Sequence, residues 1–292
     1  MKKVLFATTA LVATAGVAAA DVTFGGYARF GVQYDDPTTG ASTTNVTSRF
    51  RLQIDATAES DAGVTFGARA RIQQNASTTA NTGINGVRFF ARTGGLEVGV
   101  GNIFGALEFM PGMYPIDLGL TGLGYDYTAY NFRGDAYSSG GAGAAGSNGF
   151  ELMYSMGDLG LHLSASDVND RVAGHVSYAV GGFTIALAAQ DSTLATDTEM
   201  AATIGGTVGP ADLTLAYADN GTDGDHIVLA ASFDVGAATN VEAYVADAES
   251  QPDTGYGIDF NHDLGGGTSL RGGVAKRLSG ATRADLGVRF NF

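Results

Sequence analysis

From Val22 onward the chain alternates apolar and polar residues with a period of two, and that period belongs to β-strands whose two faces meet different surroundings. Val22, Phe24, Gly26, Ala28, Phe30, Val32 and Tyr34 alternate with Thr23, Gly25, Tyr27, Arg29, Gly31 and Gln33. Phe50, Leu52, Ile54 and Ala56 alternate with Arg49, Arg51, Gln53 and Asp55. After a tight turn at Ser60 to Gly63, Val64, Phe66, Ala68, Ala70 and Ile72 face away from Thr65, Arg69, Arg71 and Gln73. One face is greasy and the other basic and polar. The same reading predicts strands near Ile84 to Thr93 and Leu96 to Gly101, then eleven more between Phe150 and Phe292, sixteen in all. The 44 glycines among 292 residues oppose a helical alternative.

Met1 to Ala20 has a basic start at Lys2 and Lys3, an apolar run from Val4 to Val17 and three alanines before Asp21. This is the pattern of a cleaved export signal, leaving 21–292 as a single domain. No later segment is apolar enough for a spanning helix, so the exported chain is either soluble or a closed β-barrel, the strand architecture that satisfies its backbone in lipid. Tight turns such as Val180 to Gly182 alternate with longer, acidic loops such as Asp247 to Asp253, which matches an outer-membrane barrel better than a soluble sandwich. Sixteen strands leave an aqueous channel where eight are plugged by side chains. The formal charge of −14 excludes a nucleic-acid partner, and the lack of cysteine excludes disulfides and thiolate metal sites.

The interval from Asn102 to Asn148 does not read as half of a tight hairpin. It carries Glu108, Asp117, Asp126 and Asp135, with no Lys or Arg before Arg133. Long loops are usually functional or disordered, and the Ile, Phe, Leu, Met and Tyr content here opposes disorder. The strands before it hold Arg29, Arg49, Arg51, Arg69, Arg71, Arg88 and Arg92. The simplest arrangement is an acidic loop folded against a basic wall, narrowing the lumen.

The start of the export signal, the opening Val22-Thr23-Phe24-Gly25-Gly26-Tyr27-Ala28-Arg29-Phe30-Gly31, the segment Gly95 to Asn102 and the end Gly287-Val288-Arg289-Phe290-Asn291-Phe292 resemble general bacterial porins, in particular those of purple non-sulfur bacteria such as Rhodobacter. The likeness runs the length of the chain. It implies a homotrimer of sixteen-stranded antiparallel transmembrane barrels in the bacterial outer membrane. Each barrel would form a water-filled pore for passive diffusion of small hydrophilic solutes and ions, with no enzymatic activity and no required cofactor. The resemblance also implies a third loop folded inward, here 102–148, with Glu108, Asp117 and Asp126 as constriction acids and the seven arginines above as wall bases. Phe292 matches the family's terminal assembly signal. Calcium binding near the loop is permitted, with no assignable ligands, and the absence of tryptophan leaves any interfacial girdle to Tyr and Phe.

Other patterns weigh less. Gly141-Ala142-Gly143-Ala144-Ala145-Gly146 has the spacing of a dinucleotide fingerprint but lacks the strand before it and the helix after it. His162 and His175 can face one another across neighbouring strands, yet no carboxylate or H-E-x-x-H spacing supports a zinc site, so they read as lumen-lining polar residues. Asp219 to Asp225 is dense in carboxylates without EF-hand spacing and reads as a solvated acidic loop. The rival functions are a hydrolase embedded in the barrel, for which no G-x-S-x-G elbow is present, and a closed structural or adhesive barrel.

Overall fold

The computed structural model describes residues 20–76, 83–131, 133–140 and 146–292. The export signal lies outside these residues except for Ala20, and so do Gly141 to Ala145 of the glycine-alanine run. The strands are β1 Ala20–Asp36, β2 Thr43–Glu59, β3 Thr65–Asn75, β4 Arg88–Thr93, β5 Leu96–Asn102, β6 Asn148–Met156, β7 Leu159–Ser166 and β8 Val172–Val180. The second half supplies β9 Phe183–Asp191, β10 Glu199–Val208, β11 Ala211–Asp219, β12 Asp225–Asp234, β13 Thr239–Ala248, β14 Gly255–Gly265, β15 Thr268–Lys276 and β16 Thr282–Asn291. Each strand pairs antiparallel with its neighbours in sequence, and β1 pairs with β16, closing a sixteen-stranded barrel. Closure leaves no unpaired edge to satisfy in lipid.

The register follows the alternation. Leu52 opposes Ile72 and Phe24 opposes Ile54 on the outer face, while Arg51 opposes Gln73 and Gln53 opposes Arg71 on the inner one. Phe24, Phe66, Leu163, Leu187, Leu229 and Ile258 stand exposed on the outside, where lipid asks for apolar surface and not for jigsaw packing. The seam is finished by two backbone bonds, from the Gly26 N–H to the Phe292 carbonyl at 2.8 Å and from the Phe292 N–H to the Gly26 carbonyl at 3.1 Å. Both described ends of the chain therefore lie at the end of the barrel that carries the tight turns.

Two expectations need correction. The fourth strand begins at Arg88, not Ile84: Ile84 makes only an isolated bridge to Ile72, and the Asn85 side chain accepts the Arg71 N–H that a paired backbone would have taken. More consequentially, the inner face is not polar throughout. On β8 to β13 it carries Ala173, Ala186, Ala188, Ala201, Ala216, Ala218, Val228, Ala230, Tyr244, Ala246 and Ala248, all buried. They are buried because the described residues 103–131 fold into the lumen and set Leu107, Met110, Met113, Leu118, Tyr127 and Tyr130 against them, so that the apolar core lies inside the barrel.

Candidate functional site

The inserted segment is pinned at its start by a buried polar cluster. Glu151 on β6, fully buried, accepts Arg88 Nε at 2.5 Å with one oxygen and, with the other, the N–H groups of Phe104 and Gly105 at 2.9 and 3.3 Å. Arg88 also pairs with Glu97 at 2.6 Å and lies 4.0 Å from the centre of the Phe104 ring. Ala106 is held from both sides. Its N–H donates to Ser164 Oγ at 3.0 Å, and its carbonyl lies 2.6 Å from His175 Nδ1. His162 and His175 are direct cross-strand partners with ring centres 5.4 Å apart, and His162 Nε2 lies 3.0 Å from Glu151. The histidines meet as the sequence suggests; the carboxylate that supports them was missed because Glu151 is on a strand the loop separates from the arginines it serves. Gly105 has a φ of 80°, and a Cβ there would lie 1.8 Å from the Asp135 carbonyl oxygen, so only glycine fits.

At its tip the segment crosses to the far wall, and there carboxylates of the barrel grip loop backbone. Glu242 accepts the Asp117 N–H at 3.0 Å, Asp259 that of Gly119, and Asp285 those of Leu120 and Thr121 at 2.9 and 2.8 Å. Leu120 seats on the cross-strand pair Gly31 and Gly287, where added Cβ atoms would lie 2.8 and 2.6 Å from its methyl. The tip then turns through four successive left-handed residues, Gly122 to Tyr125. For Leu123 and Tyr125 that conformation is strained, a cost of order 1 kcal/mol or more each that the surrounding contacts hold in place. On the return, Asn220 donates to the Ala129 carbonyl at 3.0 Å and Arg133 pairs with Asp223 at 2.6 Å, so the acidic loop 219–225 is a docking point for the insertion and not merely solvated.

The candidate charges fall into separate groups. Asp117, whose side chain is 56 % exposed, pairs at 2.7 Å with both Arg271 on β15 and Arg289 on β16. Those arginines were absent from the sequence expectation because they are far away in the chain; closure of the barrel puts β16 beside β1. Asp126 pairs with Arg277 at 3.1 Å and accepts the Leu278 N–H at 3.0 Å. Glu108 accepts the Tyr114 hydroxyl at 2.6 Å. Burial raises the Glu108 carboxyl above its ordinary value, with the Tyr114 and Tyr130 hydroxyls acting against the rise. Arg69 pairs with Asp55 at 2.6 Å, Arg88 belongs to the buried cluster, and Arg92 stands next to the tight turn at Gly94.

That leaves Arg29, Arg49, Arg51 and Arg71, which among the described residues have no carboxylate within 4.0 Å. Their partners are neutral: the Leu120 carbonyl for Arg29, Asn75 and the Tyr27 hydroxyl for Arg49, Gln73 for Arg51, Gln53 and Ser139 for Arg71. The Tyr27 ring lies 5.1 Å from the Arg51 guanidinium and 4.3 Å from that of Arg289. Among the described residues no group of three or more His, Asp or Glu is placed to hold a metal ion. Asp117 and Asp126 are paired with arginines and Glu108 with a tyrosine.

A family profile described as Gram-negative porin matches residues 7–281. A porin of Fuscovulum blasticum is 33% identical over 301 residues, covering 93% of this chain and 100% of that protein. A porin of Rhodobacter capsulatus is 28% identical over 317 residues with the same coverage. Solved structures of two charge-altered variants of the Rh. blastica porin superpose with TM-scores of 0.84 and 0.83, each 29% identical and each covering 93% of this chain and 100% of the other.

Proposed function

This chain belongs to the Gram-negative porin family, and from that premise we propose that its constriction is the gap between the inserted segment and the inner faces of β1 to β3 and β16. The protein is an outer-membrane porin, a channel for passive passage of small hydrophilic solutes and ions, and not an enzyme. The observation that carries the placement is the lateral position of the insertion. It packs on the alanine-lined side of the lumen and anchors its tip on β13, β14 and β16; Arg29 and Arg71 reach it through the Leu120 carbonyl and Ser139, while Arg49 and Arg51 hydrogen-bond to the wall residues Asn75, Tyr27 and Gln73.

In this reading Asp117 supplies the exposed acid and the unpaired arginines supply the base of a field across the gap, and charged groups at such close quarters select among ions. Glu108 and Asp126 hold the insertion in shape instead of facing the arginines. Assembly into a homotrimer belongs to the same proposal, supported by the resemblance and by an outer surface that is apolar around the barrel. Conduction needs no cofactor. The test is purified protein in a planar lipid bilayer. Stepwise, ohmic conductance that changes when Arg51 is replaced by Gln supports this placement; conductance indifferent to Arg51, Arg71 and Asp117 together would move the constriction elsewhere.

A further inference from the structure

The row of side chains facing the lumen at one level runs Arg289, Arg29, Arg49, because Arg29 is the direct cross-strand partner of both others. Like charges set directly opposite on adjacent strands destabilise a sheet, and this row has one carboxylate, Asp117, which Arg289 shares with Arg271. Two donors in the row, Arg29 Nε and Arg289 Nε, are buried with no hydrogen-bond partner, which leaves their desolvation uncompensated. Beside Arg29 and Arg49 a cleft of about 350 Å³ opens, lined also by Gln33, Asn45 and Asn75. The acid in that cleft, Asp35, is already engaged by Gln33 at 2.6 Å and by Arg283. A volume of that size holds a small ion with part of its hydration shell, a water taking about 30 Å³.

We propose that Arg29 and Arg49, with Gln33, Asn45 and Asn75, form a binding site for a small oxyanion, so that solutes bearing a phosphate or carboxylate group pause here on their way through the gap. Guanidinium groups match the oxygens of either group with paired, charge-assisted hydrogen bonds, and a visiting anion relieves the repulsion within the row. The inference rests on the reading of the gap as the conduction path.

The experiment uses the whole protein in a planar bilayer with chloride as the carried ion and inorganic phosphate or succinate added to one side. The expected result is a conductance that falls saturably with one or both anions, the tighter of the two naming the preferred group. In Arg49→Gln the half-saturating concentration should rise about tenfold, the loss of roughly one charge-assisted hydrogen bond. Asn45→Asp places a negative charge in the cleft without altering an arginine and should raise it likewise, which covers the case of an Arg49 variant that does not assemble. Lys276→Gln removes a positive charge elsewhere and should leave the saturation unchanged. A channel that conducts chloride with no saturation by either anion, or whose half-saturating concentration in both cleft variants equals that of the unaltered protein, keeps the porin reading and overturns the site. A protein without conductance overturns both.

Discussion

At the scale of the residue, the two faces of the barrel wall impose opposite demands. Leu229 lies mid-strand on the outer face of β12, and Asn240 lies on the inner face of β13. Replacing Leu229 by Arg puts a charge near the middle of the bilayer and should cost about 2 to 4 kcal/mol, whereas Asn240→Arg should cost little, since Asp234 lies within reach of that side chain. Urea unfolding of the two variants in lipid micelles checks this, and equal losses would contradict the register. Asp117→Asn tests the field in the same way. With the exposed acid gone and Arg271 and Arg289 released, the reversal potential across a salt gradient should move toward anions, and the shift should shrink as salt brings the Debye length below about 10 Å. An unchanged potential would remove Asp117 from the conduction path.

At the scale of the element, the insertion is held by complementary surfaces. Small residues on the wall make room and larger residues on the segment fill it, so enlarging the wall should displace the segment. Ala216→Leu overpacks a site that is 1 % exposed, at a typical cost of 1 to 3 kcal/mol, and should make the chain cleavable by trypsin at Arg133 while the barrel stays intact. Glu151→Gln strips the charge from the buried cluster and leaves Arg88 under-neutralised, which is strongly destabilising for a buried pair; faster hydrogen exchange at Phe104 and Gly105 is the expected signature. The strands were legible because the two faces of Val22 to Tyr34 or Phe50 to Ala56 differ so sharply that the period is unmistakable. The path of the insertion was only half legible. Its apolar residues announce a packing partner, but the partner is a set of alanines such as Ala186, Ala188 and Ala218, which on a lipid-bound strand look no different from outer-face residues. Likewise Arg271 and Arg289 could be tied to Asp117 only once closure of the sheet had set β15 and β16 beside β1.

At the scale of the whole molecule, the seam decides whether the rest exists. Phe292 completes it with two backbone bonds to Gly26 and stacks its ring on Phe50 at 5.7 Å. Deleting Phe292 should lower the yield of assembled protein in the outer membrane and lower the temperature at which the folded band is lost on gels, whereas normal yield and heat resistance would show the terminal aromatic to be dispensable. The seat of Leu120 adds something of a different kind. That side chain rests on Gly31 from one end of the chain and Gly287 from the other, so its resting place comes into being only when the first and last strands have met. The resting place of Leu120 therefore depends on closure of the cylinder, so the seating of the tip and the joining of the two ends of the chain stand or fall together.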